Sequence, residues 1–251
     1  MGVIVVSGTG TEIGKTVVTA AVAAAAAAEG RSVAVLKPAQ TGLEPGVPGD
    51  AGEAARLAGP HVTAVELARY PEPLAPDTAA RRAGMAAVTP EEVAEAAGKL
   101  AASHDLVLVE GAGGLLVRFD AAGRTLADAA ALLGAPVLVV APAALGTLNS
   151  TTLTAEALRA RGLSALGVVV GSWPAVPDLA CRCNLADLPS SSGLPLLGAV
   201  PERSGALAPE EFRAAAPAWL APPLWGTWSA EGFQAAWAPG PVAPSGGAPA
   251  A

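Results

Sequence analysis

The fold of this chain is decided by the stretch Val3-Ile4-Val5-Val6-Ser7-Gly8-Thr9-Gly10-Thr11-Glu12-Ile13-Gly14-Lys15-Thr16. The aliphatic run at its start predicts a buried strand, and the alanine-rich segment after Thr16 predicts a helix. The glycines between them let backbone N–H groups surround phosphate oxygens, and the N-terminus of the helix adds positive potential. Lys15 would reach the terminal phosphates, and the Thr16 hydroxyl would hold Mg²⁺. We therefore predict a phosphate-binding loop, because a simple turn between strand and helix would leave Lys15 and Thr16 unexplained.

The loop is one residue longer than the common phosphate-binding loop. In the common motif, four residues separate the outer glycine from the Gly-Lys pair. That position is Thr9 here, and the outer glycine is Gly8. The strand before the loop and the helix after it still indicate a nucleotide site.

Composition bounds the class of protein. The 251 residues suit one α/β domain, or two at most, and 52% of them are hydrophobic. A net charge of −7 argues against an extended surface for nucleic acid. Only three lysines are present, and two of them, Lys15 and Lys37, closely follow the first two predicted strands. Ligands of α/β sheets bind at such strand ends.

Nothing in the chain predicts a membrane or a secreted protein. Met1 leads straight into the first strand without a signal peptide, and the Ala20–Ala28 run is too short to span a bilayer. Cys181 and Cys183 stand one residue apart on a predicted helix, which suits neither a disulfide nor a metal set. We expect a reduced, cytoplasmic protein.

Strands and helices alternate along the chain. Strands are predicted at 3–6, 32–36, 62–70, 106–109, 136–141, 165–170 and 195–200, and helices at 14–29, 51–57, 90–103, 125–133, 145–161, 177–188, 209–220 and 229–237. Lys37-Pro38 is expected to end the second strand, and residues 71–78 to form a proline-rich connection. The pattern predicts a doubly wound, mostly parallel sheet with helices on both faces, as in P-loop nucleotide hydrolases. Residues 1–238 are assigned to one domain and residues 239–251 to a disordered Pro/Gly/Ala-rich tail.

Two acidic residues are candidates for Mg²⁺. Glu110 ends a predicted buried strand and is followed by glycines, which is where a Mg²⁺-linked carboxylate of a phosphate-loop protein lies. A solvated acid in a tight turn is the alternative, and it would leave the desolvation of that carboxylate unexplained. Asp50 stands at the start of the second predicted helix, 51–57, as either an ordinary N-cap or a second acid facing the ion.

Taken together, three motifs resemble those of the dethiobiotin synthetase family of the biotin pathway. They are the long loop Gly8–Thr16, the pair Lys37-Pro38 and the turn Val109-Glu110-Gly111-Ala112-Gly113-Gly114, and the resemblance extends roughly from Met1 to Arg203. It implies a homodimer that uses ATP and Mg²⁺ to join 7,8-diaminononanoate and CO₂. In that reaction a carbamate is phosphorylated to a carbamic-phosphoric anhydride, and the second amine closes the ring, releasing dethiobiotin, ADP and phosphate.

The resemblance also implies roles for individual residues. Nucleotide-binding positions would be Glu12, Ile13, Gly14, Lys15, Thr16, Val17, Asp50, Glu110, Gly111, Ala112, Gly113, Gly171, Ser172, Val200, Pro201 and Glu202. Substrate-binding positions would be Thr11, Lys37, Thr41, Gly146, Thr147, Leu148 and Asn149, the last four receiving the substrate carboxylate from across the dimer. Thr16, Asp50 and Glu110 would surround Mg²⁺, and the catalytic residues would be Lys37, Lys15 and Thr11. Lys37 as a plain surface lysine at a strand end is the alternative.

One position departs from the family pattern. Where better-known members carry an Asn-Asp pair that reads adenine, this chain has Gly171-Ser172, followed by Trp173-Pro174. The amide that would read the base edge is missing. We therefore expect looser base recognition through backbone groups, so that nucleotides other than ATP can serve.

Three other functions share parts of this pattern. A cobyrinate- or cobyrate-type amide synthetase would need a glutaminase domain with a nucleophilic cysteine, for which this chain is too short. A partitioning-type ATPase switch usually has an additional lysine early in its loop, and Gly8, Thr9 and Gly10 offer none. An inactive nucleotide-binding homologue is the third.

Overall fold

A computed structural model describes residues 2–44 and 46–239 of the chain. Its strands are β1 (Val3–Gly8), β2 (Val33–Thr41), β3 (Thr63–Tyr70), β4 (Leu106–Glu110), β5 (Val137–Ala141), β6 (Ala165–Trp173) and β7 (Leu196–Pro201). Its α-helices are α1 (Lys15–Ala28), α2 (Asp50–Ala58), α3 (Pro76–Ala83), α4 (Pro90–Ala101), α5 (Leu126–Leu133), α6 (Thr147–Ala160), α7 (Leu179–Ser192), α8 (Pro209–Ala215) and α9 (Ala230–Trp237).

The strands form one sheet in the order β3-β2-β4-β1-β5-β6-β7, and each strand pair is parallel. Helix α1 packs against α2, α4 against α5, and α6 against α7. Right-handed crossovers place the first pair on one face of the sheet and the other two pairs on the opposite face, because the connections reverse direction after β3. The predicted doubly wound parallel sheet is confirmed.

The central strands are apolar on both sides because helices cover both faces. Every residue of β4 and β5 is buried, and the alanine-rich α1 buries residues on most of its circumference. Small side chains on α1 let that helix lie close to the sheet. The phosphate-loop segment is therefore held between a buried strand and a buried helix.

The carboxyl ends of β1, β2 and β4 meet at one edge of the sheet. Strand β1 lies between β4 and β5, and the chain leaves it toward β2 on one side, whereas β4 connects toward β5 on the other. This reversal is the position at which open α/β sheets form a binding crevice. Lys15, Lys37 and Glu110 all lie at or close to this edge.

The expected end of the second strand is wrong. Strand β2 continues through Lys37 and Pro38 to Thr41, with Ala39 opposite Ala68 of β3. Its pairing with β4 stops at Leu36, so beyond that residue the strand is bonded on one side only. A proline is tolerated there, because its missing N–H can face the unpaired side.

Other boundaries also moved. Residues 71–78 are not a connection throughout, because α3 begins at Pro76, where proline suits the first turn of a helix. Strand β6 extends past Val170 to include Trp173. The helix predicted from Pro209 ends as α8 at Ala215 and continues as a short 3₁₀ turn.

Two further expectations concern the C-terminal tail and membrane-spanning helices. Of the predicted tail, residues 240–251 lie outside the described residues. Within the described part, no helix combines the length and apolar character that a membrane crossing requires.

Candidate active site

The phosphate-binding loop leaves the end of β1 and closes on itself. Gly14 adopts φ 90°, a left-handed conformation that favours glycine, immediately before α1 begins. No side chain caps this N-terminus, so the N–H groups of the first turn remain available to an anion. The Lys15 ammonium donates to the carbonyl oxygen of Gly10 at 2.7 Å and so folds over the loop.

The loop packs against the end of β6 backbone to backbone. A Cβ atom on Gly14 would overlap the carbonyl oxygen of Gly171, and one on Gly171 would overlap the carbonyl oxygen of Ile13. Glycine is therefore required at both positions by this close approach. Gly171 is buried in the wall behind the loop, whereas Ser172 is exposed at the strand end.

Lys37 connects two carboxylates at the floor of the site. Its ammonium lies 2.5 Å from Asp50 Oδ2 and donates to Glu110 Oε1 at 3.0 Å and to the carbonyl oxygen of Gly111 at 3.0 Å. Lys37 is 2% and Glu110 1% exposed. The alternative of a plain surface lysine is therefore wrong.

Asp50 is the first residue of α2, not its N-cap. Gly49 occupies the N-cap, and no side chain caps the helix from that position. The backbone N–H of Asp50 instead donates to Gln40 Oε1 at 2.8 Å. The carboxylate is thus left for Lys37 and for the cleft.

The two lysines of the site have opposite electrostatic shifts. Burial alone would lower the pKa of Lys37, but the attraction of Glu110 and Asp50 and the hydrogen bonds to both raise it above its ordinary value. Burial lowers the pKa of Lys15, the positive charge of Lys37 lowers it further, and Glu110 and Asp50 offset this only in part. The two carboxylates therefore stabilise the charged form of Lys37. The charge of Lys15 is only partly compensated by them, so an anion beside it would be stabilising.

Glu110 has an open coordination position. Its Oε1 accepts hydrogen bonds from Lys37 at 3.0 Å and from the Thr16 hydroxyl at 2.9 Å, whereas its buried Oε2 has no hydrogen-bond partner among residues 2–44 and 46–239. A buried carboxylate oxygen without a donor suits a hard cation such as Mg²⁺, which takes oxygen ligands. Within the part of the chain that the structure describes, no three or more His, Cys, Asp or Glu side chains lie close enough together to hold a metal ion. Thr16, Asp50 and Glu110 fit the predicted ion.

A cleft of about 750 Å³ opens above these groups. Of the sequence-predicted residues, its lining brings together Thr11, Glu12, Gly14, Lys15, Thr16, Val17, Lys37, Thr41, Asp50, Glu110, Ala112 and Gly113. Ile13 and Gly111 lie directly beside them, the first packed on Gly8 and the second bonded to Lys37. The cleft therefore joins the phosphate loop to the end of β2.

The remaining predicted residues lie outside this lining. Gly146 has φ 96° and precedes α6, whose N-terminus has no side-chain cap, and Thr147 behind it is buried. At the end of β7, the Glu202 N–H donates to the Trp173 carbonyl oxygen at 2.7 Å, and Glu202 Oε1 accepts from the Ala175 N–H at 3.0 Å. The side chain of Glu202 thus ties the β6 and β7 ends together.

Sequence reasoning missed the other wall of the cleft. Leu43, Val117 and the segment 73–76 (Pro-Leu-Ala-Pro) contribute apolar surface to the lining, to which the buried Gln40 also belongs. The prolines of the segment were visible in the sequence but indicated only a connection. Gln40 belongs to no motif and had no signal beyond its place between Lys37 and Thr41.

The chain is similar over nearly its whole length to several curated proteins. It is 70% identical over 233 residues to the ATP-dependent dethiobiotin synthetase BioD of Streptomyces coelicolor, covering 93% of this chain and 98% of that protein. It is 67% identical to the protein of the same name from Saccharopolyspora erythraea, covering 91% and 100%. For the one from Mycobacteroides abscessus the identity is 51%, covering 84% and 92%. A family model described as AAA domain matches residues 3–210.

Solved structures with a similar fold are more distant in sequence. The cell division ATPase MinD of Pyrococcus furiosus superposes with a TM-score of 0.52 at 20% identity, covering 86% of this chain and 97% of that one. A ParA family ATPase from Chlorobium tepidum gives a TM-score of 0.53 at 13% identity, covering 84% and 90%. At such identities the likeness shows a shared nucleotide-hydrolase fold and nothing further.

Removing the Lys37 ammonium should destabilise the protein. In a Lys37→Met variant Glu110 is left buried without its cation, and we expect the free energy of unfolding to fall by about 3 kcal/mol near pH 8. Because the pKa of Lys37 is raised on folding, this contribution is complete below the ordinary value of 10.5 and is lost as pH rises through the higher folded value. Urea unfolding of both proteins between pH 7 and pH 12, without added metal, measures the difference.

Lys99→Met provides the matched control, since Lys99 pairs with Glu95 on the exposed face of α4 and should matter little. A Lys37→Met variant as stable as the parent at pH 8 would show that the buried pairs contribute nothing.

Proposed function

This chain belongs to the ATP-dependent dethiobiotin synthetase family, and we propose that the cleft between the phosphate loop and β2 carries out the reaction of that family. The protein is an ATP-dependent ligase of biotin biosynthesis, with ATP as co-substrate and Mg²⁺ as the metal ion. Its substrates are 7,8-diaminononanoate and CO₂. The observation that carries the residue assignments is the Lys37 ammonium, buried between Asp50 and Glu110 in the cleft into which the phosphate loop opens.

In this proposal the phosphate loop grips the triphosphate. The uncapped N–H groups at the start of α1 and the backbone of Glu12–Val17 would bind phosphate oxygens. Lys15 would exchange its bond to the Gly10 carbonyl oxygen for the terminal phosphates, whose negative charge meets the demand that burial and Lys37 create. The loop would thereby direct the last phosphate toward the end of β2.

Lys37 would serve as the catalytic cation. One amine of the diamine adds to CO₂ to give a carbamate, whose oxygen then attacks the terminal phosphate of ATP and displaces ADP. The resulting carbamic-phosphoric anhydride is attacked at its carbonyl carbon by the second amine, and phosphate leaves as the ring closes. Phosphoryl transfer to the carbamate oxygen brings anionic groups together, so a fixed ammonium lowers the barrier to that step mainly by position and charge.

Thr16, Asp50 and Glu110 would hold Mg²⁺. The partnerless Glu110 Oε2 supplies a carboxylate oxygen already desolvated, and the Thr16 hydroxyl lies next to it. The ion would neutralise charge on the phosphates. Lys37 forms ion pairs with both carboxylates of this set.

The apolar side of the cleft suits the alkyl chain of the diamine. Leu43, Val117 and the segment 73–76 line the cleft together with Thr11 and Thr41. Thr11 also lies next to Gly113, which links the phosphate loop to the turn after β4. We assign Thr11 and Thr41 to the diamine or its carbamate, with Thr11 as a catalytic residue beside the two lysines.

A second copy of the chain would complete the site. Gly146–Asn149 lies outside the lining of the cleft, yet the start of α6 offers uncapped N–H groups to a carboxylate. Apolar side chains are exposed around it: Leu145 is 87%, Leu153 57% and Leu179 59% accessible. Since α6 and α7 pack together, these side chains share one region of the surface. We propose that this region is the homodimer interface.

The base of the nucleotide would meet the ends of β6 and β7. Gly171 is excluded from carrying an amide side chain by its packing on the loop, and Glu202 is already bonded to the Ala175 backbone. Ser172, Val200 and Pro201 then leave backbone groups and one hydroxyl to contact a base. This supports the proposal that base recognition is loose.

Of the other functions considered, none is favoured by the relatives. The likeness to MinD and ParA proteins is a likeness of fold, and the early loop Gly8-Thr9-Gly10 has no lysine. Cys181 and Cys183 are free thiols on α7, away from the cleft lining. We further propose residues 1–238 as one domain and the cytoplasm as the compartment.

A dimer should dissociate when charge is placed on this surface. We expect the whole chain to sediment as a dimer and a Leu153→Glu variant to shift toward monomer, because burying a carboxylate at an apolar interface is costly. Sedimentation velocity measures both. Met85→Glu is the control, since Met85 is 47% exposed and follows α3 near the β3 edge of the sheet. A monomeric parent protein would contradict the proposal.

Turnover with several nucleotides tests the activity and the base recognition together. Release of the nucleoside diphosphate should require diaminononanoate, bicarbonate and Mg²⁺, and should occur with CTP and GTP as well as ATP. A coupled assay that varies one component at a time measures this. Hydrolysis independent of the diamine would point to an ATPase switch, and turnover confined to ATP would contradict loose base recognition.

Lys37→Ala should retain nucleotide binding and lose turnover. We expect kcat to fall at least about 10²-fold, on the scale of removing one preorganised charge that stabilises the transition state. Single-turnover kinetics and the Kd for ADP separate the two effects, and circular dichroism checks that the variant is folded. Near-normal kcat with ADP still bound would show that Lys37 is not the catalytic cation.

A further inference from the structure

The backbone N–H of Asp50 is hydrogen-bonded to the buried side-chain amide of Gln40. Gln40 is 4% exposed, and its Oε1 accepts the Asp50 N–H at 2.8 Å, while its Nε2 donates to the Thr41 carbonyl oxygen at 3.3 Å. This contact crosses from β2 to the start of α2. It is the bond that fixes the first N–H of the helix, because Gly49 provides no capping side chain.

The connection between β2 and α2 is also held from the side of β3. Arg69 donates from Nη1 to the carbonyl oxygens of Glu44 at 3.2 Å and Val47 at 2.8 Å. Its other nitrogens bind both carboxylate oxygens of Glu66 at 2.8 to 3.0 Å. The planar guanidinium thus joins strand β3 to the connection that delivers Asp50.

Gly49 lies against both Gln40 and the Glu66–Arg69 pair. A Cβ atom there would overlap Glu66 Oε1 and would lie 2.7 Å from Gln40 Oε1 and 2.9 Å from Arg69 Nη2. Its φ of −88° and ψ of −175° are open to any residue, so glycine is required here by packing alone. The backbone immediately before Asp50 therefore rests directly on Gln40, Glu66 and Arg69.

We propose that Gln40, Glu66 and Arg69 are positioning residues that hold the Asp50 carboxylate at the metal site. Glu66 and Arg69 do not line the cleft themselves, although they pair along β3 with Lys37 and Gln40 of β2, and their side chains act through the backbone that ends in Asp50. Support of this kind orients a ligand before the ion binds. The inference rests on the proposed metal-binding role of Asp50.

The chain offers a matched pair for comparison. Glu53 and Arg56 on α2 have the same spacing of three residues and also form a two-pronged ion pair, with two bonds of 2.7 and 2.6 Å where Arg69 and Glu66 make three. Among the described residues of the β2–α2 connection, however, Arg56 donates to no carbonyl oxygen, and it makes a 3.4 Å bond to the Gly205 carbonyl oxygen. Arg56→Ala therefore removes an Arg-Glu pair near the same helix without removing the support of Asp50.

The test is Mn²⁺ binding in the presence of ADP, followed by the electron paramagnetic resonance signal of the free ion. We expect Arg69→Ala and Gln40→Ala to raise the Kd for Mn²⁺ at least about 10-fold, and Arg56→Ala to leave it unchanged. Gly49→Ala should weaken Mn²⁺ as well, by displacing the Glu66 carboxylate without deleting a charge. In turnover, the Arg69→Ala defect should appear in the Mg²⁺ concentration required and should diminish as Mg²⁺ is raised.

An Asp50→Asn variant separates the metal-binding role of Asp50 from the positioning role of Gln40, Glu66 and Arg69. If Asp50→Asn weakens Mn²⁺ binding while Arg69→Ala and Gln40→Ala do not, the positioning role is wrong and the metal role of Asp50 stands. If Asp50→Asn leaves Mn²⁺ binding unchanged, the metal assignment fails and the positioning role fails with it. Equal weakening in Arg69→Ala and Arg56→Ala would reveal a general effect on α2 and would also overturn the inference.

Discussion

A single buried ammonium, shared by two carboxylates from different elements, is the constraint on which this site depends. Lys37 comes from the middle of β2, Glu110 from the end of β4 and Asp50 from the start of α2. Lys37 and Glu110 are almost fully buried, whereas Asp50 is partly exposed, and burial of the first two is tolerable because each has an opposite partner. Three separate parts of the chain must therefore be placed correctly before any one of them is stable, and the geometry of the cleft follows from that requirement.

The phosphate loop is held by a different kind of force. Its position is set by close packing of backbone on backbone, where Gly14 and Gly171 leave no room for a Cβ atom. This contact gives the loop a rigid back wall and at the same time excludes a base-reading side chain at position 171. Glycine at position 171 is therefore required by the packing of β6 on the phosphate loop.

The regular elements could be predicted because the apolar pattern is strong. Runs such as Leu106–Val109 and Val137–Val140 suit only strands covered on both faces, and the alanine-rich α1 suits only a tightly packed helix. The errors arose at prolines, where strand pairing or the start of a helix decided the local structure. Pro38 did not end β2, because the strand had already become one-sided there, and Pro76 began a helix where prolines had indicated a connection.

The sequence by itself determined the chemistry: a long phosphate loop with Lys15 and Thr16, a lysine at the expected end of the second strand, and a carboxylate after the fourth. These signals are local, since each depends on residue types at fixed spacing along one segment. Only the tertiary structure decided which groups share a partner, that Glu110 keeps one oxygen free, and that Gln40 and the Glu66–Arg69 pair support Asp50. Such contacts join segments far apart in the chain, and no periodicity or motif encodes the distance between them.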